Sequence, residues 1–136
     1  MNGSIFLDTN VLIYSYTDSE PVKQALALAS IGTTEAWIST QVLVEFVNVS
    51  QRKLKASWLA IQLSLVELEN NYRVHTNSAA TITRATRLAQ RYGFSWFDAL
   101  IVAAALDCGC QTLYSEDLQD GQLVEGSLRV VNPFRI

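Results

Sequence analysis

The sequence is short of the residues on which several common kinds of site depend. Its 136 residues include only two cysteines, one histidine and six glycines. Cys108 and Cys110 lie one residue apart, which is too close for an easy disulfide, and two thiols are too few for a zinc site. The single histidine, His75, excludes an acid–base mechanism that needs two. No glycine-rich phosphate loop occurs, which excludes dinucleotide-binding and P-loop proteins.

Long hydrophobic runs are also missing. The longest, residues 99–106, is far shorter than the ~20 residues that a membrane span needs. The first eight residues carry no basic patch and reach Asp8 before any long apolar stretch, so we expect no secretory signal. Together with the cysteine pattern, these features predict a cytoplasmic protein without membrane association.

The composition that remains is globular, with 49% hydrophobic and 17% charged residues, and the length predicts a single domain over residues 1–136. The net charge is −3 and the isoelectric point is near 5.0. Nucleic-acid-binding proteins are usually basic. The charge therefore argues against a nucleic-acid partner unless the acids are gathered in one place.

Short apolar stretches alternate with longer segments of helical periodicity. Strands are predicted at 5–7, 36–38, 72–75, 111–114 and 128–131, and helices at 9–16, 22–31, about 39–52, 57–70, 78–92 and 95–109. This alternation predicts an α/β three-layer sandwich, in which a short, mostly parallel central sheet is flanked by helices. Ligands of such sheets bind beyond the carboxyl ends of the strands.

Four acidic side chains stand at positions where this fold would bind a ligand. Asp8 directly follows the strand at 5–7, and Asp117 follows the strand at 111–114. Asp98 opens the apolar helix of residues 98–106, and Glu45 lies at the edge of the apolar face of its helix.

Each of these acids also has an ordinary structural role open to it. Asp8 can cap the helix that follows it, and Asp98 matches the S-x-x-D form of a capping box that begins at Ser95. Glu45 can reach water from the rim of its helix, and Asp117 can belong to a turn.

Convergence of the four acids would have a chemical consequence. In apolar surroundings they cannot all ionise without a cation, and carboxylate oxygens suit Mg²⁺ or Mn²⁺. Without these four, nine acids face ten lysines and arginines. The rest of the surface is then about neutral, which weakens the objection from charge. Glu116 and Asp120 are close in sequence to Asp117 and could take its place.

Several motifs in order resemble the PIN domain family and span essentially the whole chain. They are residues 6–12 (FLDTNVL), Glu45 after an apolar helix start, and residues 97–105 (FDALIVAAA), 113–117 (LYSED) and 131–134 (VNPF). A stand-alone PIN domain of this length is similar to the VapC-type toxins of bacterial and archaeal toxin–antitoxin pairs. The resemblance implies a metal-dependent ribonuclease whose products carry 5′-phosphate and 3′-hydroxyl ends.

The resemblance also assigns roles to individual residues. The catalytic and metal-binding acids are expected to be Asp8, Glu45, Asp98 and Asp117, with Thr9, Asn10 and Ser115 supporting them. Asp8 and Asp98 are expected to bind Mg²⁺ or Mn²⁺ directly. The expected partners are an RNA substrate, a cognate antitoxin that covers the acidic pocket, and a second copy of the chain in a homodimer.

Three arginines of the predicted helix at 78–92 share one face, because Arg84, Arg87 and Arg91 follow the i, i+3, i+7 spacing. This stripe is a candidate surface for RNA phosphates, and the alternative is an ordinary solvated helix face.

The tryptophans are expected to pack rather than to bind. Burial is predicted for Trp37, Trp58 and Trp96 rather than stacking on bases. Leu59, Leu63 and Val66 recur at helical spacing and indicate the helix at 57–70.

Two other magnesium-dependent classes place acids at strand ends, but receiver domains and haloacid-type phosphatases both need a lysine late in the fold. The lysines here, Lys23, Lys53 and Lys55, all lie in the first half. Two alternatives stay open: a non-catalytic PIN-fold module that binds RNA or protein, and a DNA or flap-type nuclease.

Overall fold

The computed structural model describes residues 3–32 and 34–135. Its strands are β1 (Ile5–Leu7), β2 (Ala36–Ser39), β3 (Arg73–His75), β4 (Thr112–Tyr114), β5 (Leu123–Val124) and β6 (Leu128–Val131). They form one sheet in the order β3-β2-β1-β4-β6-β5. All neighbouring pairs are parallel except β5 and β6, which are antiparallel. The expected α/β fold with a mostly parallel sheet flanked by helices is confirmed.

The helices are α1 (Thr9–Tyr16), α2 (Pro21–Ile31), α3 (Thr40–Arg52), α4 (Trp58–Asn71), α5 (Ala79–Tyr92) and α6 (Trp96–Asp107). Their bounds agree with the predicted ones to within two residues. Local chemistry explains several ends: the hydroxyls of Ser39, Ser57 and Ser78 accept hydrogen bonds from the first turns of α3, α4 and α5. Gly93, with φ +75°, ends α5 in the left-handed conformation that suits glycine.

Helix α6 is the most buried helix of the fold. Every residue from Ala99 to Ala105 is buried, and the helix packs against α5 and β2. Burial on all sides explains why its sequence is apolar without a polar face. Asp98 therefore lies in the first turn of a helix whose following seven residues are all buried.

Strand β5 was not predicted. It contains only two residues, and it pairs with β6 through a turn in which Glu125 and Gly126 have φ values of +53° and +69°. Two residues are too few to show the alternation that identifies a strand.

Several large apolar residues are exposed. Leu59, Leu63 and Val66, whose spacing indicated α4, face solvent, and α4 buries Ile61 and Leu68. Among the tryptophans, Trp58 and Trp96 are 60% and 40% exposed, while Trp37 is half-buried. These two exposed indoles contradict the prediction of burial.

Over the described ranges, no helix combines the length and the apolar character that a membrane crossing needs.

Candidate active site

The ends of two neighbouring strands place the first residues of the site. Strands β1 and β4 pair in parallel with Leu7 opposite Tyr114, so the residues that follow, Asp8 and Ser115, lie side by side at the carboxyl edge of the sheet. The Asp8 N–H donates to Tyr114 O at 3.0 Å, and the Ser115 N–H donates to Val131 O at 3.0 Å. The sheet hydrogen bonding thus extends one residue past each strand and fixes both backbones.

Asp8 is buried, with 6% of its surface exposed. Its Oδ1 accepts from the Thr9 N–H at 2.7 Å and caps α1, while Oδ2 accepts from the Ser115 hydroxyl at 2.8 Å. Burial raises the pKa of Asp8 to about 6; the two hydrogen bonds oppose this shift, and the charges of Asp117 and Asp98 add to it. Capping of α1 by Asp8 is therefore compatible with the predicted role of this carboxylate.

Glu45 is half-buried on α3 and has two neutral donors. The Thr9 hydroxyl donates to its Oε1, and the side-chain amide of Gln41 donates to its Oε2 at 3.1 Å. Gln41 stands one turn before Glu45 on the same helix, so α3 itself holds the carboxylate. This partnered position replaces the alternative of a rim glutamate that only reaches water.

Asp117 is exposed and lies in the loop after β4. Its Oδ2 accepts from the Asn10 amide at 3.1 Å, and its backbone N–H donates to the Ser115 hydroxyl at 3.2 Å. Desolvation and the charges of Asp98 and Glu116 raise the pKa of Asp117. Each of the three predicted supporting residues thus contacts at least one of the predicted acids.

Asp98 lies in the first turn of α6. Ser95 occupies the N-cap position, but its side chain accepts no capping hydrogen bond, so the predicted capping box does not form. Asp98 instead lines the same pocket as the other three acids.

This pocket is an open hollow of about 220 Å³ at the carboxyl edge of the sheet. Its lining comprises Asp8, Thr9, Asn10, Gln41, Glu45, Asn48, Val49, Phe97, Asp98, Ile101 and Asp117. Between residues 3 and 135, leaving aside 33, none of the four acids forms an ion pair with a lysine, arginine or histidine. The structure therefore brings the four acids to one pocket, and the donors that hold Asp8, Glu45 and Asp117 are all neutral.

The donor set suits a hard divalent cation. Carboxylate oxygens are the preferred ligands of Mg²⁺ and Mn²⁺, and the raised pKa values of Asp8 and Asp117 mean that added positive charge would favour their ionised forms. As they stand, no three histidine, cysteine or acidic side chains in the part of the chain that the structure describes are grouped closely enough to hold an ion. The residues fit a cation in chemistry and charge, and binding would have to draw the carboxylates together.

The two other acids near Asp117 are occupied elsewhere. Glu116 accepts from Lys23 Nζ at 3.2 Å, and Asp120 accepts from the Asn132 N–H at 2.8 Å. Neither lines the pocket. Asp117 is therefore the acid of this loop that joins the other three.

The arginine stripe lies outside the pocket. Arg84 pairs with Asp107 at 2.8 Å, and Asp107 is at the opposite end of α6 from the acids. Arg91 pairs with Glu125 at 3.0 Å. Arg84, Arg87 and Arg91 line a separate hollow. The structure does not bring the stripe to the acids.

Five pocket residues were not predicted as site residues: Gln41, Asn48, Val49, Phe97 and Ile101. Gln41 holds two elements together, since its amide donates to Phe97 O at 3.1 Å as well as to Glu45. A weak signal existed in the sequence, because Gln41 and Glu45 share one helix face at i, i+4 and Phe97 adjoins Asp98.

The family model described as PIN domain matches residues 5–119 of the chain. No curated protein matches the sequence.

Solved structures resemble the fold over most of its length. A toxin–antitoxin complex from Klebsiella pneumoniae has 24% identity and a TM-score of 0.71, covering 97% of this chain and 99% of that chain. A VapC toxin from Mycobacterium tuberculosis, described as cleaving the sarcin–ricin loop, has 22% identity and a TM-score of 0.66, covering 82% and 88%. A promoter-bound VapBC complex from Rickettsia felis has 22% identity and a TM-score of 0.61, covering 95% and 99%. At these identities the likeness shows the fold.

Proposed function

Because the chain belongs to the PIN domain family, we propose that it is a metal-dependent endoribonuclease that hydrolyses RNA phosphodiester bonds and acts as the toxin of a toxin–antitoxin pair. The observation that carries the proposal is the pocket that Asp8, Glu45, Asp98 and Asp117 line together, with no ion pair to a cationic side chain among the described residues. The resemblance in fold to solved toxins supports the biological role.

Asp8 and Asp98 are the residues that would hold Mg²⁺ or Mn²⁺ directly, and Glu45 and Asp117 would bind a second ion or orient water around the first. When bound, the metal supplies an acidified water as nucleophile and offsets the charge of the scissile phosphate.

The chain's own contribution is orientation. Ser115 and the Thr9 N–H hold the two oxygens of Asp8, and the Thr9 hydroxyl and Gln41 hold those of Glu45. All these donors are neutral, so they fix the carboxylates without neutralising them. Such supporting contacts typically change metal affinity or activity by about 10- to 100-fold.

Metal dependence is the direct test of the activity. Cleavage of single-stranded RNA should stop in EDTA and return when Mn²⁺ or Mg²⁺ is added in excess. Undiminished cleavage in chelator would contradict the assignment. Single-stranded DNA of the same base sequence is the matched control: preferential cleavage of DNA would favour a DNA or flap-type nuclease, and no cleavage of either would favour a binding module.

The toxin role needs a partner, which we propose to be a cognate antitoxin that inserts a basic side chain into the acidic pocket. Expression of the chain should arrest growth, and coexpression of an adjacent small reading frame should relieve the arrest. Arrest that no neighbouring gene product relieves would contradict this role.

We also propose a homodimer, which light scattering at micromolar concentration would test; a monomer would contradict it.

A further inference from the structure

One side chain of the acidic pocket has no part in holding the acids. Phe97 lines the pocket beside Asp98, yet 64% of its surface is exposed. The middle of α6 differs, since Ala99 and the six residues after it are buried. A large aromatic ring left open at the mouth of a polar pocket contributes little to the core, so packing does not explain its position.

The backbone beneath this ring is fixed to the acids. The Gln41 amide donates to Phe97 O at 3.1 Å and to Glu45 Oε2 at 3.1 Å. Phe97 is also the residue immediately before Asp98. The ring is therefore attached to two of the four acids through short connections, and its place relative to the pocket is set by the same contacts that set theirs.

We propose that Phe97 is the stacking platform for one unpaired base of the substrate RNA, next to the phosphodiester bond that is cleaved. The inference rests on the proposed ribonuclease function and names how the substrate is held. A phosphate at the acids has a base within reach on either side, and RNA recognition commonly stacks unstacked bases on aromatic rings. Val49 and Ile101 extend the apolar part of the pocket lining, while the acids form its polar part.

The proposal predicts that the pocket binds single-stranded RNA in preference to duplex RNA. A base in a duplex is covered on both faces by its neighbours and has no free face for Phe97. Stacking is tolerant of base identity, because every base has a π-face. Phe97 therefore confers a preference for unpaired RNA and not for a particular sequence.

The chain offers a matched control beside the platform. Trp96 is also aromatic, is 40% exposed and belongs to the same turn of α6, but it does not line the acidic pocket. Removing Trp96 tests what the loss of any exposed ring at this helix end does, including damage to the fold.

The experiment measures binding of a fluorescein-labelled single-stranded RNA and of the corresponding RNA duplex by anisotropy. The Asp8→Asn background with Ca²⁺ keeps the RNA intact. Phe97→Ala should weaken single-strand binding by about 5- to 150-fold, the range for one stacked base, and leave duplex binding unchanged. Phe97→Trp should retain the single-strand binding that Phe97→Ala loses. Trp96→Ala should change binding of neither the single strand nor the duplex. On the active background, Phe97→Ala should raise KM more than it lowers kcat.

Any of three binding results would overturn the platform: equal losses of affinity for single strand and duplex in Phe97→Ala, an equal loss of affinity in Trp96→Ala, or full single-strand affinity in Phe97→Leu. An unchanged affinity of Phe97→Ala together with dissociation of a dimer would also overturn it, because the ring would then belong to a contact between copies. Circular dichroism and thermal unfolding of each variant identify a folding defect. If Phe97→Ala has such a defect, Phe97→Trp carries the test instead, because a stacking platform requires it to bind single-stranded RNA. If the wild-type chain cleaves RNA and Phe97→Ala binds normally, only this inference fails; absence of metal-dependent cleavage by the wild type is instead a failure of the proposed function.

Discussion

Two charged regions of the molecule hold their charges in opposite ways. On α5, Arg84 and Arg91 each pair with an acid, Asp107 and Glu125, at or near the surface. In the pocket at the carboxyl edge of the sheet, three of the four acids, Asp8, Glu45 and Asp117, are held by hydroxyl, amide and backbone N–H donors.

If the proposed function holds, the difference separates charges that are paired within the fold from charges that are available to a bound cation. Exposed ion pairs contribute at most about 1 kcal/mol each and leave little net potential. Neutral donors orient a carboxylate but do not cancel its charge, so the pocket keeps mutual repulsion that a cation would relieve. Repulsion among the acids of the pocket is thus expected to lower the stability of the fold, as is common at functional sites. No such cost is expected from the arginine stripe.

The largest expected effect is that of removing one charge from the pocket. Asp8→Asn should lower kcat for RNA cleavage by about 10³-fold or more, since metal-assisted hydrolysis depends on several kcal/mol of charge stabilisation. The fold should survive, because the amide oxygen can accept from the Thr9 N–H while its NH₂ donates to Ser115. The metal-free melting temperature should stay equal or rise; a large fall would mean that Asp8 is mainly a helix cap.

The second effect is a pH dependence of stability in the metal-free protein. Burial raises the pKa of Asp8 from 3.8 to about 6, so between these values the folded chain binds more protons than the unfolded chain. The free energy of unfolding should therefore fall as the pH rises from about 4 to about 6, by about 2 kcal/mol from this group. Urea unfolding in EDTA at several pH values measures it.

Asp8→Asn supplies the control for this titration. The variant cannot ionise at position 8, so the difference in stability between variant and wild type should grow in the variant's favour as the pH rises. Added Mn²⁺ should reduce the difference in the wild type. A wild type that gains stability over the variant between pH 4 and pH 6 would contradict the assigned direction.

The sequence sufficed for the acids because each is marked by a local feature. Asp8 and Asp117 follow short apolar strands, and parallel neighbouring strands end at the same edge of a sheet. Ser115 was expected near the acids through the family resemblance, and its contact with Asp8 follows from the pairing of β1 with β4, which the structure shows. Their roles in catalysis and metal binding stay predictions until they are measured.

What the sequence could not provide depends on which face of an element the fold covers. Helix α4 has apolar residues on more than one face, so periodicity does not decide between Leu59 and Leu63, which are exposed, and Ile61 and Leu68, which are buried. The contact between Gln41 and the Phe97 carbonyl joins α3 to α6 across 56 positions. Only the assembled structure brings these two residues together.

A smaller effect is expected at the buried hydroxyl between two acids. Ser115 is fully buried, donates to Asp8 and accepts from the Asp117 N–H. Ser115→Ala should reduce cleavage by about 10- to 100-fold, and a higher Mn²⁺ concentration should recover part of the loss. Ser50→Ala, at another buried serine, is the matched control and should change cleavage little. Equal losses in both variants would point to a general packing defect.

The smallest expected effect concerns the arginine stripe. It decides whether the stripe contacts RNA or only the acidic pocket does. Arg87 has no ion-pair partner among the described residues, so of the three arginines its charge is the most available to an RNA phosphate. Phosphate contacts make binding depend on salt, and one contact contributes about one unit to the slope of log affinity against log salt. Arg87→Ala on the Asp8→Asn background with Ca²⁺ should flatten the slope by about one unit and weaken binding by a similar factor for different RNA sequences.

Arg84→Ala removes the same charge from the same helix, but Asp107 already holds that guanidinium, so its slope should change less. An unchanged slope in a folded Arg87→Ala variant would identify the stripe as ordinary solvated surface and leave the acidic pocket as the functional region of the two.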